Sequence, residues 1–475
     1  MKNLSCLLLG CVWLISLDGQ TVTVSESLSI RSDLGYEIIG TLQDNLLLFR
    51  DRSTLFEIQS YTSDLELGWT KELELDKRRP QVLGLTSDEK TFTLLYQKRH
   101  KGDLILKAHK YDAGANLLDS VEVVNLGRPF YTPEFQIALS EDRQKMLIYY
   151  FDQLRIVHAK VFDAATMQLQ WQLQFEPTDM VLLRDYRQAF VDNAGNFYFV
   201  LERDNRKSKQ EFHHYNIFHF GPTTGNKLLT LTLPMDGMLT YDVYFAPDNL
   251  NGQLVAGGLY SDGNRGRAEG VFYLRVDTKG QRQALEFHPF DDVFVADLVD
   301  RNPEKNQKGL TQASVREVVL RRDGGLLLIG ERSREQERSS GGARGYSNSY
   351  GGRFVMDYYY EDLFVVSLHP DGALHWKSVL HKKQYSQDDN AIYSSYLLAK
   401  TPSALRLLFN DEIKQNSTVS EYVVRGDGHA DRNSVMSTAN QQLRLRFRDG
   451  VQVAANELIV PSERRTRLKL VRVTY

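Results

Sequence analysis

Apolar and polar residues alternate with a period of two along almost the whole chain. Leu443, Leu445 and Phe447 alternate with Arg444, Arg446 and Arg448, and Leu65, Leu67, Trp69, Leu73 and Leu75 share one parity. Such alternation turns one face of a strand to a core and the other to water. No stretch of 12 or more residues carries a helical period, so the pattern predicts an all-β protein. Superimposed on it are eight short runs that are apolar on both faces: Asn45–Phe49, Thr91–Gln97, Lys145–Phe151, Asn196–Glu202, Gln253–Tyr260, Gly325–Glu331, Ala404–Asn410 and Asn456–Val460. Measured from Leu47 through Leu94, Ile148, Phe199, Ala256, Leu328 and Leu407 to Ile459, the steps are 47, 54, 51, 57, 72, 79 and 52 residues. The two long steps hold the insertions Pro289–Ala313 and Ser333–Tyr360.

A repeat near fifty residues containing four short strands predicts a β-propeller, and a strand apolar on both faces suits the second strand of a blade, sandwiched between its neighbours. Seven complete blades are expected at roughly 34–75, 80–126, 133–176, 186–233, 240–289, 314–381 and 391–438. Residues 441–475 are too few for another complete blade, and Thr21–Ile30 forms an orphan strand at the other end. Pairing the two closes an eighth four-stranded antiparallel blade and hides both edges. Eight blades is the preferred expectation and seven the alternative, in one domain over residues 20–475.

Tryptophans mark the same period. Trp69, Trp171 and Trp376 lie 102 and 205 residues apart, about two and four repeats, and each follows a hairpin turn such as Phe162-Asp163-Ala164-Ala165-Thr166 or Pro370-Asp371-Gly372. Turns of this type without Trp stand at Tyr111-Asp112-Ala113-Gly114, Thr224-Gly225-Asn226 and Asp277-Thr278-Lys279-Gly280, where Asp bonds its own backbone and Gly allows positive φ. The Asp-turn-Trp pattern resembles the blade motif of quinoprotein-like propellers, and the Tyr358–Asp411 segment resembles uncharacterised secreted bacterial propellers. What the first resemblance implies is a fold in which Trp69, Trp171 and Trp376 dock each blade on the next; it implies no activity.

Met1-Lys2-Asn3, an apolar stretch from Leu4 to Leu17 and then Asp18-Gly19-Gln20 have the form of a secretory signal, with cleavage near Gly19 or Gln20. The competing reading is a lipobox at Leu8-Leu9-Gly10-Cys11, against which Val12 to Leu17 stay apolar where a tether would be polar. Export to the periplasm, the outer membrane or the medium is expected. Both cysteines, Cys6 and Cys11, lie in this segment, so the mature chain would carry no disulfide, thiolate metal site or cysteine nucleophile. No later run is apolar for long enough to span a membrane.

The 475 residues are 42% hydrophobic, and 58 basic residues against 61 acidic ones leave a net charge of -3, which excludes disorder and gives no nucleic-acid footprint. The long segments all fall in loops between second and third strands or between blades, on one side of a propeller, and that side is the expected working face. Three of those loops lean basic: Arg203–Glu211 has 4 basic and 2 acidic residues, Ser261–Ala268 has 2 and 1, and Arg332–Arg353 has 5 and 2. The longest insertion adds Gly, Ser and Tyr, the composition of binding loops. The candidate binding residues are Arg344, Tyr346, Tyr350, Arg353, Tyr358, Tyr359, Tyr360, Lys382 and Lys383, although a tolerated surface insertion has the same composition.

Catalytic and metal motifs are missing. His213 and His219 share a strand face but stand about 20 Å apart, and His369, His375 and His381 repeat that spacing. Arg425-Gly426-Asp427 sits at an expected hairpin turn. Asp192–Asn196 and Asp388-Asp389-Asn390 match no calcium loop. Glu331, Asp362 and Asp411 are candidate carboxylates with no motif around them. The expected protein is an exported, non-enzymatic binding or scaffold module of the bacterial cell envelope with a protein partner, no cofactor and no metal. A polyanionic glycan also suits the basic loops. The alternatives are a carbohydrate-active propeller, hydrolase or lyase, and a scaffold like the BamB-type eight-bladed lipoproteins of outer-membrane assembly.

Overall fold

The computed structural model describes residues 20–52, 55–76, 80–263, 265–277, 279–299, 309–339, 354–413, 417–439 and 441–475. The expected signal segment lies outside the described residues, as do Arg344, Tyr346, Tyr350 and Arg353.

Eight antiparallel sheets form a closed ring, an eight-bladed β-propeller. Seven blades run in sequence order over 33–73, 81–125, 136–175, 186–234, 239–289, 313–380 and 397–437, each with its first strand innermost. The eighth combines Val451–Ala454, Glu457–Arg464 and Arg467–Thr474 with the N-terminal Thr21–Val24 as its outermost strand. Thr21 pairs with Thr474 and Val24 with Val471, so the chain ends close the ring as expected.

Eight apolar cores lie one between each pair of adjacent blades, and a small ninth cluster of Tyr358, Tyr360 and Ala391 sits apart from them. Phe92, Leu94 and Tyr111 of the second blade pack on Leu47, Phe49 and Ile58 of the first. Ile459, Leu468 and Leu470 of the eighth blade meet Ile38, Leu46 and Leu48 of the first. A strand in the middle of a blade therefore faces a neighbour on both sides, which is why the second strands each hold a run that is apolar on both faces. Each of the eight doubly apolar runs supplies the second strand of a blade.

The hairpins between third and fourth strands are held by Asp side chains. Asp112 accepts the N–H groups of Gly114 and Asn116 at 2.9 and 2.8 Å, and Asp277 those of Lys279 and Gln281 at 2.9 and 2.8 Å. Trp171 donates its indole N–H to the Gly195 carbonyl of the next blade at 2.8 Å. Trp376 does the same to Gly426 at 2.8 Å, and Trp69 packs against the core between the first and second blades.

Two details differ from the periodicity. Leu443, Leu445 and Phe447 are buried as their alternation requires, yet they lie in an irregular connection that ends in a 3-10 turn, not in a strand. The Ser333–Tyr360 insertion is strand at both ends. One eight-residue helix, Asp292–Val299, packs in the connection before the sixth blade. No helix among the described residues is long and apolar enough to cross a membrane.

Candidate functional site

The sixth blade departs from the pattern. Its second and third strands, Leu326–Ser339 and Phe354–Leu368, have 14 and 15 residues. Second strands elsewhere have seven to ten. The innermost strand accompanies this hairpin only as far as Arg332, and the outermost only from Leu363. Between those points the hairpin continues for seven pairs, from Ser333↔Tyr360 to Ser339↔Phe354. That is about 20 Å of strand carried out on the loop-rich face. The short strand Gln384–Gln387 lies alongside, pairing Tyr360 with Gln384 and Asp357 with Gln387.

Strand parity divides the candidate residues. Tyr358, Tyr360 and Lys382 point into the protein, 8%, 4% and 4% exposed. Side chains so placed have no surface to offer a partner: Tyr358 and Tyr360 pack with Ala391 and Met356, and Lys382 pairs with Glu331. Tyr359 and Lys383 belong to the outward face. There Arg334 lies over the Tyr359 ring at 4.2 Å and Tyr385 packs on Tyr359 at 5.1 Å. Asp357 ties this face together, accepting hydrogen bonds from Arg338 and from the Tyr385 hydroxyl at 2.8 Å. Burial alone would raise its carboxyl, but these hydrogen bonds hold it below the usual range.

Beneath the extension is a buried polar knot. Lys382 Nζ lies 2.6 Å from Glu331 Oε1, and neither side chain is exposed. Glu331 Oε2 also accepts from Arg316 Nε and Ser395 Oγ, both at 2.8 Å. Lys382 donates to Gln384 Oε1 at 3.2 Å, and Gln384 donates to the Asn410 carbonyl at 2.7 Å. Burial pushes the Lys382 ammonium down, opposed by Glu331. Arg448 of the last blade's connection covers the Tyr360 ring at 4.6 Å. The other two candidate carboxylates are engaged as well. Asp362 accepts the Lys382 backbone N–H at 3.0 Å and is raised by burial. Asp411 accepts from Ser420 Oγ at 2.6 Å and from Arg432 at 2.7 Å.

The basic loops of the fourth and fifth blades border a cleft of about 1030 Å³. Its cations are Arg184, Arg187, Arg203, Arg206, Lys209 and Arg265, facing Asp179, Asp185, Glu202 and Asp204. Arg203 pairs with Asp185 at 2.7 Å, Lys209 with Asp204 at 3.0 Å, and Arg187 with Glu202. Part of the positive charge counted in these loops is thus paired with acids, and Asp185 reaches Arg203 from outside them.

Sequence reasoning missed an aromatic pair. Phe130 and Tyr131, 90% and 79% exposed, meet edge to face at 4.7 Å in the connection between the second and third blades. Their signal was available: they stand between Pro129 and Pro133, where a strand, and hence burial, is disfavoured.

The histidines are engaged in local contacts, with one change of geometry from the expected spacing. His213 is buried, bonding the Arg203 carbonyl at 2.8 Å and Thr240 Oγ1 at 2.9 Å. His369 and His375 are not spread along one strand. The Pro370-Asp371-Gly372 turn reverses the chain between them and brings their rings to 4.6 Å. Among the described residues no three His, Cys, Asp or Glu side chains gather as a metal site. Arg425-Gly426-Asp427 forms a hairpin turn in which Asp427 accepts the His429 N–H at 3.0 Å. Asp192 likewise closes a turn on the Asn196 N–H at 2.8 Å.

No protein-family model and no curated protein matches the chain. Among solved structures it is similar to the Dos1 propeller, at 9% identity over 95% of each chain and a TM-score of 0.44. It is also similar to the polysaccharide lyase Uly1, at 9% identity over 95% of this chain and 99% of that one, TM-score 0.39. The quinohemoprotein alcohol dehydrogenase of Comamonas testosteroni is similar at 9% identity over 95% of this chain and 76% of that one, TM-score 0.40. The ring of eight blades rests on the chain's own strand pairing.

Proposed function

We propose that this propeller is an exported, non-enzymatic scaffold of the bacterial cell envelope that holds a protein partner on its loop-rich face. The observation that supports this reading is the outward face of the sixth-blade extension. Arg334, Tyr359 and Tyr385 stack on one another there, above a base fixed by the Lys382–Glu331 pair. Aromatic and Arg side chains held rigid before contact lose little entropy on binding and dominate interface energies.

The test is an Arg334→Ala/Tyr359→Ala/Tyr385→Ala variant, checked for wild-type melting and used in cross-linking mass spectrometry in the source cells. Loss of the cross-links that the wild type forms through this face supports the reading. An unchanged set of cross-linked partners sinks it. Fractionation of the cells tests export, and a cytoplasmic pool of full-length chain would refute that half.

A further inference from the structure

One hairpin of the last blade gathers cations, and two of them, Arg465 and Arg467, have no carboxylate partner among the described residues. A cleft of about 470 Å³ on the loop-rich face is lined by four cations, Arg464, Arg465, Arg467 and Lys469, by five uncharged polar residues and by no carboxylate. Two other clefts mix charges: the one at the fourth blade has four acids, and the one beside the N-terminal segment, which Arg465 and Thr466 also line, has Asp33, Glu37, Asp449 and Glu463. Lys469 Nζ reaches the Gln441 carbonyl at 3.3 Å and Arg464 donates to Gln442 Oε1. Arg465 and Arg467 are exposed and have no ion-pair or hydrogen-bond partner for their side chains among the described residues.

Strand register makes this arrangement costly. Glu457–Arg464 and Arg467–Thr474 are joined by a two-residue turn, so Arg464 and Arg467 are direct cross-strand partners. Like charges directly opposite in an antiparallel pair repel. Arg465 adds a third guanidinium at the turn itself, in the left-handed region at φ 57°. At the rim, the Arg444 backbone N–H is bonded to Ser462 Oγ at 2.8 Å while its guanidinium lies on Tyr393 at 4.2 Å, with no carboxylate partner among the described residues. Folding alone gains nothing from concentrating arginines here. An anion would.

We propose that this cleft binds a phosphate-type oxyanion group bearing two or more negative charges. Guanidinium forks match tetrahedral oxyanions bidentately, and the Gln, Ser and Thr groups of the lining supply further donors. The group could belong to a soluble phosphate ester or to a lipid headgroup, since the chemistry recognised is the same.

The experiment is calorimetric titration of the full chain with inorganic pyrophosphate, and of Arg465→Ala, Arg467→Ala and the double variant. Both arginines are exposed, so circular dichroism and melting should match wild type. Saturable binding near one per chain is expected, weakened at least tenfold in the double variant and unchanged in Arg206→Ala/Lys209→Ala of the other cleft. Co-sedimentation with phosphatidylglycerol vesicles, but not with neutral phosphatidylcholine ones, separates the sources. Vesicle binding that needs the same arginines and is displaced by pyrophosphate assigns a lipid headgroup. Pyrophosphate binding without vesicle binding assigns a soluble ligand. Absence of saturable pyrophosphate binding, or binding indifferent to Arg465 and Arg467, overturns the proposal.

Discussion

Lys382 and Glu331 form an ion pair, 2.6 Å from Nζ to Oε1, with no solvent exposure on either side chain. A buried pair contributes little net stability when intact, because desolvating both charges offsets their attraction. Breaking it is expensive, since one charge is left unpaired. Glu331→Gln should cost about 3–5 kcal/mol in denaturant unfolding. Lys382→Met should cost less, because Glu331 retains Arg316 and Ser395. The double substitution should be milder than Glu331→Gln alone. If instead the two effects simply add, the pair is not coupled and the sixth-blade extension is held by something else.

Two buried histidines, His109 and His219, should make the fold sensitive to acid. Burial, with Lys107 adding to it, pushes His109 down to about 4, and burial pushes His219 to about 4. His109 is held neutral between the Tyr96 hydroxyl at 2.8 Å and the Tyr111 hydroxyl at 2.9 Å. His219 stacks on Tyr198 at 4.5 Å. In the unfolded chain each takes its proton near pH 6.5, so between about 6.5 and 4 the unfolded state binds more protons and stability falls as pH falls. Each site should lose up to roughly 3 kcal/mol across that window. Urea unfolding from pH 8 to pH 4 should therefore show a slope that His109→Gln and His219→Gln each flatten. A slope that neither substitution alters would place the acid sensitivity in other groups.

How far the sequence exposed this molecule depends on what packs against each strand. Second strands such as Gln253–Ser261 were legible because both faces meet a neighbouring blade, leaving a run with no polar side. The turns were legible because Asp112 and Asp277 do local chemistry that needs no tertiary partner. Burial of Tyr358, Tyr360 and Lys382 was not, since the tyrosines pack on Ala391 of a later connection and Lys382 pairs with Glu331, and nothing in a period of two says which distant segment will arrive. The net charge of the blade-four cleft was hidden for a similar reason: Asp185 and Glu202 reach it from a connection and a strand. Conversely, the Leu443–Phe447 alternation was real burial without being a strand.

Gly428 of the seventh blade lies against the Trp376 indole of the sixth. Gly428 has φ +89°, and a Cβ on it would lie 2.6 Å from Trp376 Cδ2. Gly428→Ala combines backbone strain of about 1–2 kcal/mol with overpacking of about 1–3 kcal/mol. Gly426, two residues earlier, has open space where a Cβ would point, so Gly426→Ala should shift stability by less than about 0.5 kcal/mol. In a Trp376→Ala background the cost of Gly428→Ala should fall to the strain portion alone. Equal penalties at Gly426 and Gly428 would mean that the turn, and not the docked indole, governs this position.

The joint between Val22 and Val473 carries the closure of the whole ring, and it can be locked. Ser25 N–H donates to the Leu470 carbonyl at 2.9 Å, which makes Ser25–Leu470 a hydrogen-bonded position of the ladder. Pair types alternate in an antiparallel ladder, so Val24–Val471 is a close, non-hydrogen-bonded pair, and so is Val22–Val473. Cα separations there, about 4.5 Å, suit a disulfide. The only cysteines in the sequence are Cys6 and Cys11, upstream of the described residues, so a Val22→Cys/Val473→Cys variant lacking residues 1–19 has no competing thiol. Oxidised, it closes a loop of several hundred residues and should gain about 2–4 kcal/mol over its reduced form. The gain should vanish with reductant. If oxidation instead fails to form the bond in the folded protein, the first described strand is not seated on the last, and the ring is closed in some other register.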